Sequence, residues 1–406
     1  YRLRWWQLWE PRWYTGFSMA SYPPLVHQGI ALLSQVAAPG AVPPETRLRT
    51  LAWGYAVVQL SVLLLFPLAV RAFAGQFVGG RAANRAGWLA VFLPGLSLSG
   101  YAFGQLPTLA ASVAGLFGLA AGGRYLRAGR GTDLLKATLC AGVMAGTHHA
   151  VFLLVPWAGL AVLGRNLSQQ REWPARWRTL ARAALWAGLS AGLAALVLWP
   201  FLQWSRGYAP QVPIDHLSRH NFLLDRWARL FFFWPMYGWL IPFIPALLVL
   251  AARSRRLLPL GAAAVILFLL GLGGTTPLPE LLFRANWEWL TYDRFGLWAG
   301  ICFLPLAGAG WEIVERAARA ARWNRLKAAE GRRAARVLIT GGMAAVAVLA
   351  ASLSLISRAQ PPALDMRPVV AWLGVGERAE WRYFTFGFGD QLALLSILAP
   401  ATTPDG

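Results

Sequence analysis

Acidic side chains are scarce in this 406-residue chain, which holds 17 Asp and Glu against 38 Lys and Arg, with five His and two Cys. The cysteines, Cys140 and Cys302, both fall inside apolar runs, which argues against a disulfide framework or a cysteine-built metal centre. No Gly-rich phosphate loop, CxxC pair, HExxH or GxSxG string occurs, so the local signatures of soluble nucleotide enzymes, zinc proteases and serine hydrolases are missing. No internal repeat stands out. Charged residues make up only 14% of the chain, well below the roughly 25% of an ordinary globular protein.

What fills the space is apolar: 57% of residues are hydrophobic and 22 are Trp. The uncharged runs 51–70, 183–205, 230–252, 257–279 and 337–357 each approach or exceed the ~20 helical residues that cross about 30 Å of hydrocarbon; 295–311 is a shorter candidate. The run 86–123 carries no charge for 38 residues, with Gly104 and Pro107 near its middle, and reads as two spans joined by a tight turn.

The net charge of +21 sits in short basic stretches between these runs. A protein that binds nucleic acid gathers its cations on one face; here they punctuate spans, so the expected partner is the lipid bilayer and no nucleic acid is implied. The run 137–164 is long for one helix and short for two. Read as a hairpin, it leaves 23 of the 38 Lys and Arg on the side of loops 71–88, 123–136, 164–182, 252–256 and 312–336, and 15 on the other. Read as a single crossing, it would move the 16 Lys and Arg of the last three basic loops to the outside. The positive-inside tendency selects the hairpin. The expectation is an all-α, multi-pass plasma-membrane protein with about ten transmembrane helices and basic loops facing the cytoplasm. Both ends of the sequence then lie outside, with an upstream crossing and further downstream sequence expected.

Three regions follow. Residues 1–49 form a first external loop, opening on an aromatic and basic patch (Arg2, Arg4, Trp5, Trp6, Trp9, Arg12, Trp13, Tyr14) suited to a headgroup layer. After Tyr22-Pro23-Pro24 comes a short interfacial helix in which Leu25, Ile30, Leu33 and Val36 can share one face. Residues 50–357 form the transmembrane domain, whose stretch 312–336 reads as a basic helix suited to anionic lipid. Residues 358–406 form an external segment with strand-like aromatic alternation from Trp381 to Phe388, possible as the start of a soluble domain.

Candidate chemistry gathers on the outer side. Asp215, His216, Arg219 and His220 lie within six residues, where Asp or His can act as general base and Arg can hold a phosphate bidentately; a solvated loop whose charges pair with one another reads the same residues equally. Tyr292-Asp293-Arg294-Phe295 stands where a span begins. There Arg294 suits a lipid-linked phosphate and Asp293 its orientation, and an interfacial anchor with an acidic helix start is the alternative. His148 and His149 mark the apex of the 137–164 hairpin and read as a polar turn. Glu10 and His27 bracket the interfacial helix.

The string Trp13-Tyr14-Thr15-Gly16, the Pro-Pro interfacial helix from Tyr22 to Leu25, the string Thr291-Tyr292-Asp293-Arg294-Phe295 and the stretch 381–391 resemble the GT-C superfamily of membrane glycosyltransferases. More narrowly, the chain is similar to bacterial membrane proteins labelled 6-pyruvoyl-tetrahydropterin-synthase-related, a label that implies no pterin chemistry. The resemblance implies sugar transfer from a polyprenyl-phosphate donor to an acceptor on the external face of the cell envelope. It implies an acidic catalytic residue in the first external loop, where Glu10 is the only carboxylate between Tyr1 and Val42, with Asp215 and Asp293 as further catalytic candidates. Arg219, Arg294, His216, His220 and His27 are the substrate-binding candidates. A divalent metal, Mg or Mn, is compatible with the resemblance but its ligands are not defined. The alternatives are a lipid-linked glycan flippase, which needs charges inside its spans, and a non-catalytic membrane scaffold.

Overall fold

The computed structural model describes residues 9–10, 17–18, 23–40, 42–207, 213, 215–320, 364–384, 394–395, 398–399 and 401–402. The expected span 337–357, most of the basic stretch 312–336 and the aromatic positions 385–390 lie outside these. The chain divides into two compact units: Tyr1–Ser61 with Leu198–Pro210 and Arg358–Gly406, and Val62–Val197 with Gln211–Ser357.

In the first unit, the two-residue strands β1 (Trp9–Glu10) and β2 (Phe17–Ser18) pair antiparallel, Glu10 opposite Phe17. The expected interfacial helix is present as α1 (Leu25–Ala37), but its inner face is not the one the apolar pattern suggests. Val26, Ile30 and Ser34 are buried at i, i+4 spacing, whereas Leu25 is 41% and Val36 72% exposed. The reason is polar: Ser34 Oγ lies 2.6 Å from Thr50 Oγ1 on α2 (Pro44–Ala74). Gly54 of α2 has no side chain to hold off the Ile30 carbonyl. Residues 381–384 are not a strand; they make a single parallel bridge, Arg382 to Thr402, beside a small core of Met366, Leu373, Leu395, Ala399 and Ala401.

The second unit is a helical bundle. After α2, the chain runs through α3 (Gly80–Val91), α4 (Pro94–Ser97) and a wide π turn at Leu98–Ala102. It then reverses at Gly104, which takes a left-handed φ of 61°, into α5 (Leu106–Ala128). The 86–123 run is therefore two arms with a turn, as its glycine and proline suggest. The helices α6 (Gly131–Thr147) and α7 (Val155–Ser168) flank α5 in opposite senses. Gly115 of α5 faces both Met144 and Val155, while further along Gly118 meets Cys140 and Gly123 meets Val162. The run 137–164 is thus a hairpin, with its apex at His148 and His149.

The chain continues as α8 (Trp173–Val197) and α9 (Trp199–Gly207). Short helices α10 (Arg226–Ala228) and α11 (Trp234–Tyr237) lead into α12 (Ile244–Ala252), followed by α13 (Leu258–Gly271). The short α14 (Leu278–Phe283) precedes α15 (Asp293–Ala320). The helix α15 is central: Trp298, Phe303 and Leu304 are fully buried. Gly308 lets it approach the α3 backbone at Ala82, and Gly271 lets α13 approach the α15 backbone at Gly296.

Among the described residues, six helices are long and apolar enough to cross a membrane: Glu45–Ala74, Leu106–Ala128, His149–Ser168, Trp173–Val197, Arg226–Ala252 and Asp293–Arg316. The expected count of about ten is not reached among the described residues. The 80–102 arm is interrupted at Phe92 and Leu93, α6 has 17 residues and α13 only 14. The outer wall is apolar: Leu185, Leu189 and Leu196 of α8, like Leu135 and Leu139 of α6, are exposed, as lipid-facing side chains are in a fold whose backbone polar groups are satisfied within helices.

Two ends of this bundle differ in chemistry. At one, Arg127 Nη1 donates to Gln76 Oε1 at 2.8 Å, Arg182 donates to the Leu126 carbonyl at 3.1 Å, and Arg85 and Arg124 pair with Glu315 and Asp133. Four of the five basic loops and the start of the fifth meet there. The histidines and acids of the second unit's remaining loops meet at the other end.

Candidate functional site

That second end is assembled from helix termini. The N-termini of α5 and α15 and the C-terminus of α6 converge on it, covered by the loop 215–225. The loop is fastened from below by the turn after α13. The Gly274 N–H donates to the Arg219 carbonyl at 3.0 Å, the Phe222 N–H donates to Thr275 Oγ1 at 2.8 Å, and Asn221 bridges Gly273. Gly273 adopts φ 55°, and a Cβ there would stand 2.1 Å from the Ser218 carbonyl oxygen. Only glycine satisfies both the left-handed backbone and that approach. From the side, buried Ser218 accepts the Tyr292 N–H at 3.0 Å, registering the loop on the first turn of α15.

Asp293 opens α15 and is 1% exposed. Its carboxylate does not cap its own helix. Oδ2 accepts from Gln105 Nε2 at 2.6 Å, and Oδ1 is buried with no hydrogen-bond partner among the described residues. A buried carboxylate left half-satisfied costs stability and is a mark of a group kept for something else. Around it stand cations and imidazoles. Arg294, with Nε unpartnered, acts electrostatically on His148, His149 and His216, and Asp293 and Arg219 also act on His216. Arg219 is held by its guanidinium to the Glu288 carbonyl. Tyr292 is buried, with its hydroxyl donating to the Trp287 carbonyl at 3.2 Å and its ring 4.7 Å from that of Trp287; burial pushes its phenol pKa up.

His216 is set for one tautomer. Its Nδ1 accepts from the Ser218 N–H at 3.2 Å and lies 2.7 Å from Ser218 Oγ, which leaves the proton on Nε2. Its pKa lies below the usual 6.5 because burial disfavours the cation, with Arg219 and Arg294 working in the same direction against Asp293 and Asp215. A neutral imidazole offering Nε2–H results.

Asp215 and His220, expected to share the site, form a different cluster. His220 Nδ1 lies 2.6 Å from Asp225 Oδ2 and its Nε2 3.2 Å from Asp215 Oδ1. The hydrogen bond to Asp225, then that to Asp215, raises the His220 pKa. The hydrogen bond to His220 is the main cause lowering both carboxyl values. Asp225 Oδ1 also accepts the Trp227 and Ala228 N–H groups and caps α10. These charges pair with one another, as the solvated-loop reading had it. Glu10 and His27 belong to the first unit: Glu10 lies in β1, and His27 is an exposed position of α1.

Gln105 and Ser218 escape a sequence reading of this site, and His148 and His149, read from sequence as a polar turn, stand within electrostatic reach of Arg294. Gln105 touches Asp293 across a separation of 188 residues; its only local signal is the Gly104 turn and the Pro107 helix start beside it. Among the described residues no group of three or more His, Cys, Asp or Glu converges closely enough to hold a metal ion. The groups gathered here are two guanidinium groups, helix N-termini with their positive ends, a donor imidazole and a buried carboxylate, an arrangement whose chemistry can receive an anion beside an acid–base group.

The sequence matches no family model, and no curated protein matches it either. A solved structure does match. Over 95% of this chain and 76% of the other, the fold is similar to that of ArnT from Cupriavidus metallidurans bound to undecaprenyl phosphate, with a TM-score of 0.54 and 16% identity. At that identity the fold is what is shared, and nothing in these comparisons bears out the narrower likeness to the pyruvoyl-tetrahydropterin-synthase-related proteins.

Proposed function

We propose that this chain is a GT-C-type membrane glycosyltransferase that takes a sugar from a polyprenyl-phosphate donor and passes it to an acceptor hydroxyl at the Asp293 end of the bundle. The observation that carries this is the buried Asp293 Oδ1, unpartnered beside Arg294, Arg219 and His216. Support comes from a fold whose solved counterpart is bound to undecaprenyl phosphate. In this reading Arg219, Arg294 and the His216 Nε2–H hold the donor phosphate. The bond between the sugar anomeric carbon and the phosphate oxygen breaks, and its electron pair stays on the phosphate, where the cations stabilise the growing charge. The acceptor oxygen forms the new bond to the anomeric carbon and gives up its proton to Asp293 Oδ1. Gln105 fixes the carboxylate, and the 215–225 loop keeps its own Asp215–His220–Asp225 network as a brace.

The test is transfer from radiolabelled polyprenyl-phosphate sugars by the membrane-embedded protein. Asp293→Asn keeps the size and the Gln105 contact and is expected to lower kcat by about 10² or more, with donor KM little changed. Arg294→Ala is expected to raise donor KM and lower kcat/KM by about 10-fold to 100-fold, the loss of one charge-assisted contact to phosphate. Wild-type rates in both variants would overturn the assignment of the site.

A further inference from the structure

The opposite end of the bundle holds a separate cluster of cations, independent of the proposed activity. Its centre is Arg165, in the last turn of α7. The guanidinium Nε and Nη1 of Arg165 are buried with no hydrogen-bond partner among the described residues. The charged groups acting on it are Arg127 and Arg256, both of the same sign. The packing brings these three together. Gly123, one turn before Arg127, meets Gln76 Oε1 and Val162 on α7, and Gly164 of α7 meets Pro259 at the start of α13, three residues after Arg256. Arg127 spends one Nη1 bond on the uncharged Gln76 amide. Three carboxylates at this end have arginine partners outside the trio: Asp133 with Arg124, Glu315 with Arg85 and Glu312 with Arg316.

Three guanidinium groups drawn together at the edge of an apolar bundle, with buried donors unused, repel one another and forfeit hydration. A multivalent anion of matching geometry relieves both costs, and the planar fork of Arg suits phosphate oxygens best. Basic pockets between membrane helices are where anionic headgroups settle. We propose that Arg127, Arg165 and Arg256 form a phosphate-binding site at the end of the bundle opposite Asp293, taking the phosphate of a phospholipid headgroup or a free phosphate ion.

The purified full chain in detergent micelles is titrated with phosphatidylglycerol against phosphatidylcholine, and separately with inorganic phosphate against chloride at equal ionic strength, following Tm. Wild type is expected to show a saturable rise in Tm. A response to phosphatidylglycerol alone identifies the lipid headgroup; a response to inorganic phosphate identifies the free ion. Arg256 is exposed, so Arg256→Gln keeps the fold and is expected to shift the titration midpoint about tenfold higher. Arg165→Gln is expected to abolish the response where it folds. Arg255→Gln, an exposed neighbour losing the same charge, is expected to titrate like wild type. No saturable response in wild type, or equal shifts in the Arg255 and Arg256 variants, overturns the site.

Discussion

His220 offers a direct handle at the scale of single residues. It sits between Asp225 and Asp215, which raise its pKa above 6.5. Stability from its charged form is therefore fully present below about pH 6.5 and is lost as pH rises through the raised folded value. The two carboxyl groups, held below their usual 3.8, contribute stability that disappears only in acid. Hydrogen exchange at 215–225, corrected for intrinsic rates, is expected to be slow near pH 6 and clearly faster near pH 9, with His220→Gln flattening the difference. A profile unchanged by His220→Gln would show that the loop is braced from elsewhere. His216, two positions from Ser218, behaves oppositely and stays neutral. Sequence shows both histidines and their partners Ser218, Asp215 and Asp225 in one short string but cannot separate them, because the burial that acts on His216 comes from how the loop packs on the bundle. The same limit hid Gln105. Asp293 and Arg294 stand out in the sequence as candidates because two charged residues at the start of an apolar run are unusual wherever the helix packs; the amide that holds Asp293 belongs to another run altogether.

Helices and turns were readable where composition alone decides. Apolar length located Leu106–Ala128 and Arg226–Ala252, and charge asymmetry recovered the 137–164 hairpin, whereas the 183–205 run begins ten residues inside Trp173–Val197 and ends on α9. Apolar patterning failed on α1, where a hydroxyl pair between Ser34 and Thr50 outranked Leu25 and Val36. Sequence is equally silent on which glycines are contact points. Gly308→Ala would place a Cβ 2.3 Å from the Ala82 carbonyl oxygen, a backbone clash that must push α15 off α3 at a cost of about 1–3 kcal/mol; it is expected to lower Tm without changing donor KM. Gly273→Ala combines positive φ with the Ser218 clash. It is expected to loosen the 216–222 segment and cut transfer about tenfold or more while leaving the bundle's helix content intact, as checked by circular dichroism beside the transfer assay.

Across the whole molecule, the division of charge is the organising fact. Loops grouped by their arginines alone do meet at one end, through Gln76 with Arg127, Arg85 with Glu315 and Arg182 with the close of α5. The orientation proposed for that end is cytoplasmic. In intact cells a membrane-impermeant thiol reagent is expected to label Ala285→Cys and to miss Ser254→Cys, with the pattern reversed in inside-out vesicles; Cys302 is buried and Cys140 sits within the α6 helix. Labelling of both positions from the same side would refute the arrangement.

The pin between Gln105 and Asp293 carries one more implication. An amide N–H can give but not receive, so one lone pair of the Asp293 oxygen it holds is taken for as long as the contact lasts, while the other oxygen keeps both. An arriving proton is favoured at that second oxygen, where it competes with no donor. The side chain thus has a preferred working face, chosen for it by a residue at the head of a different helix.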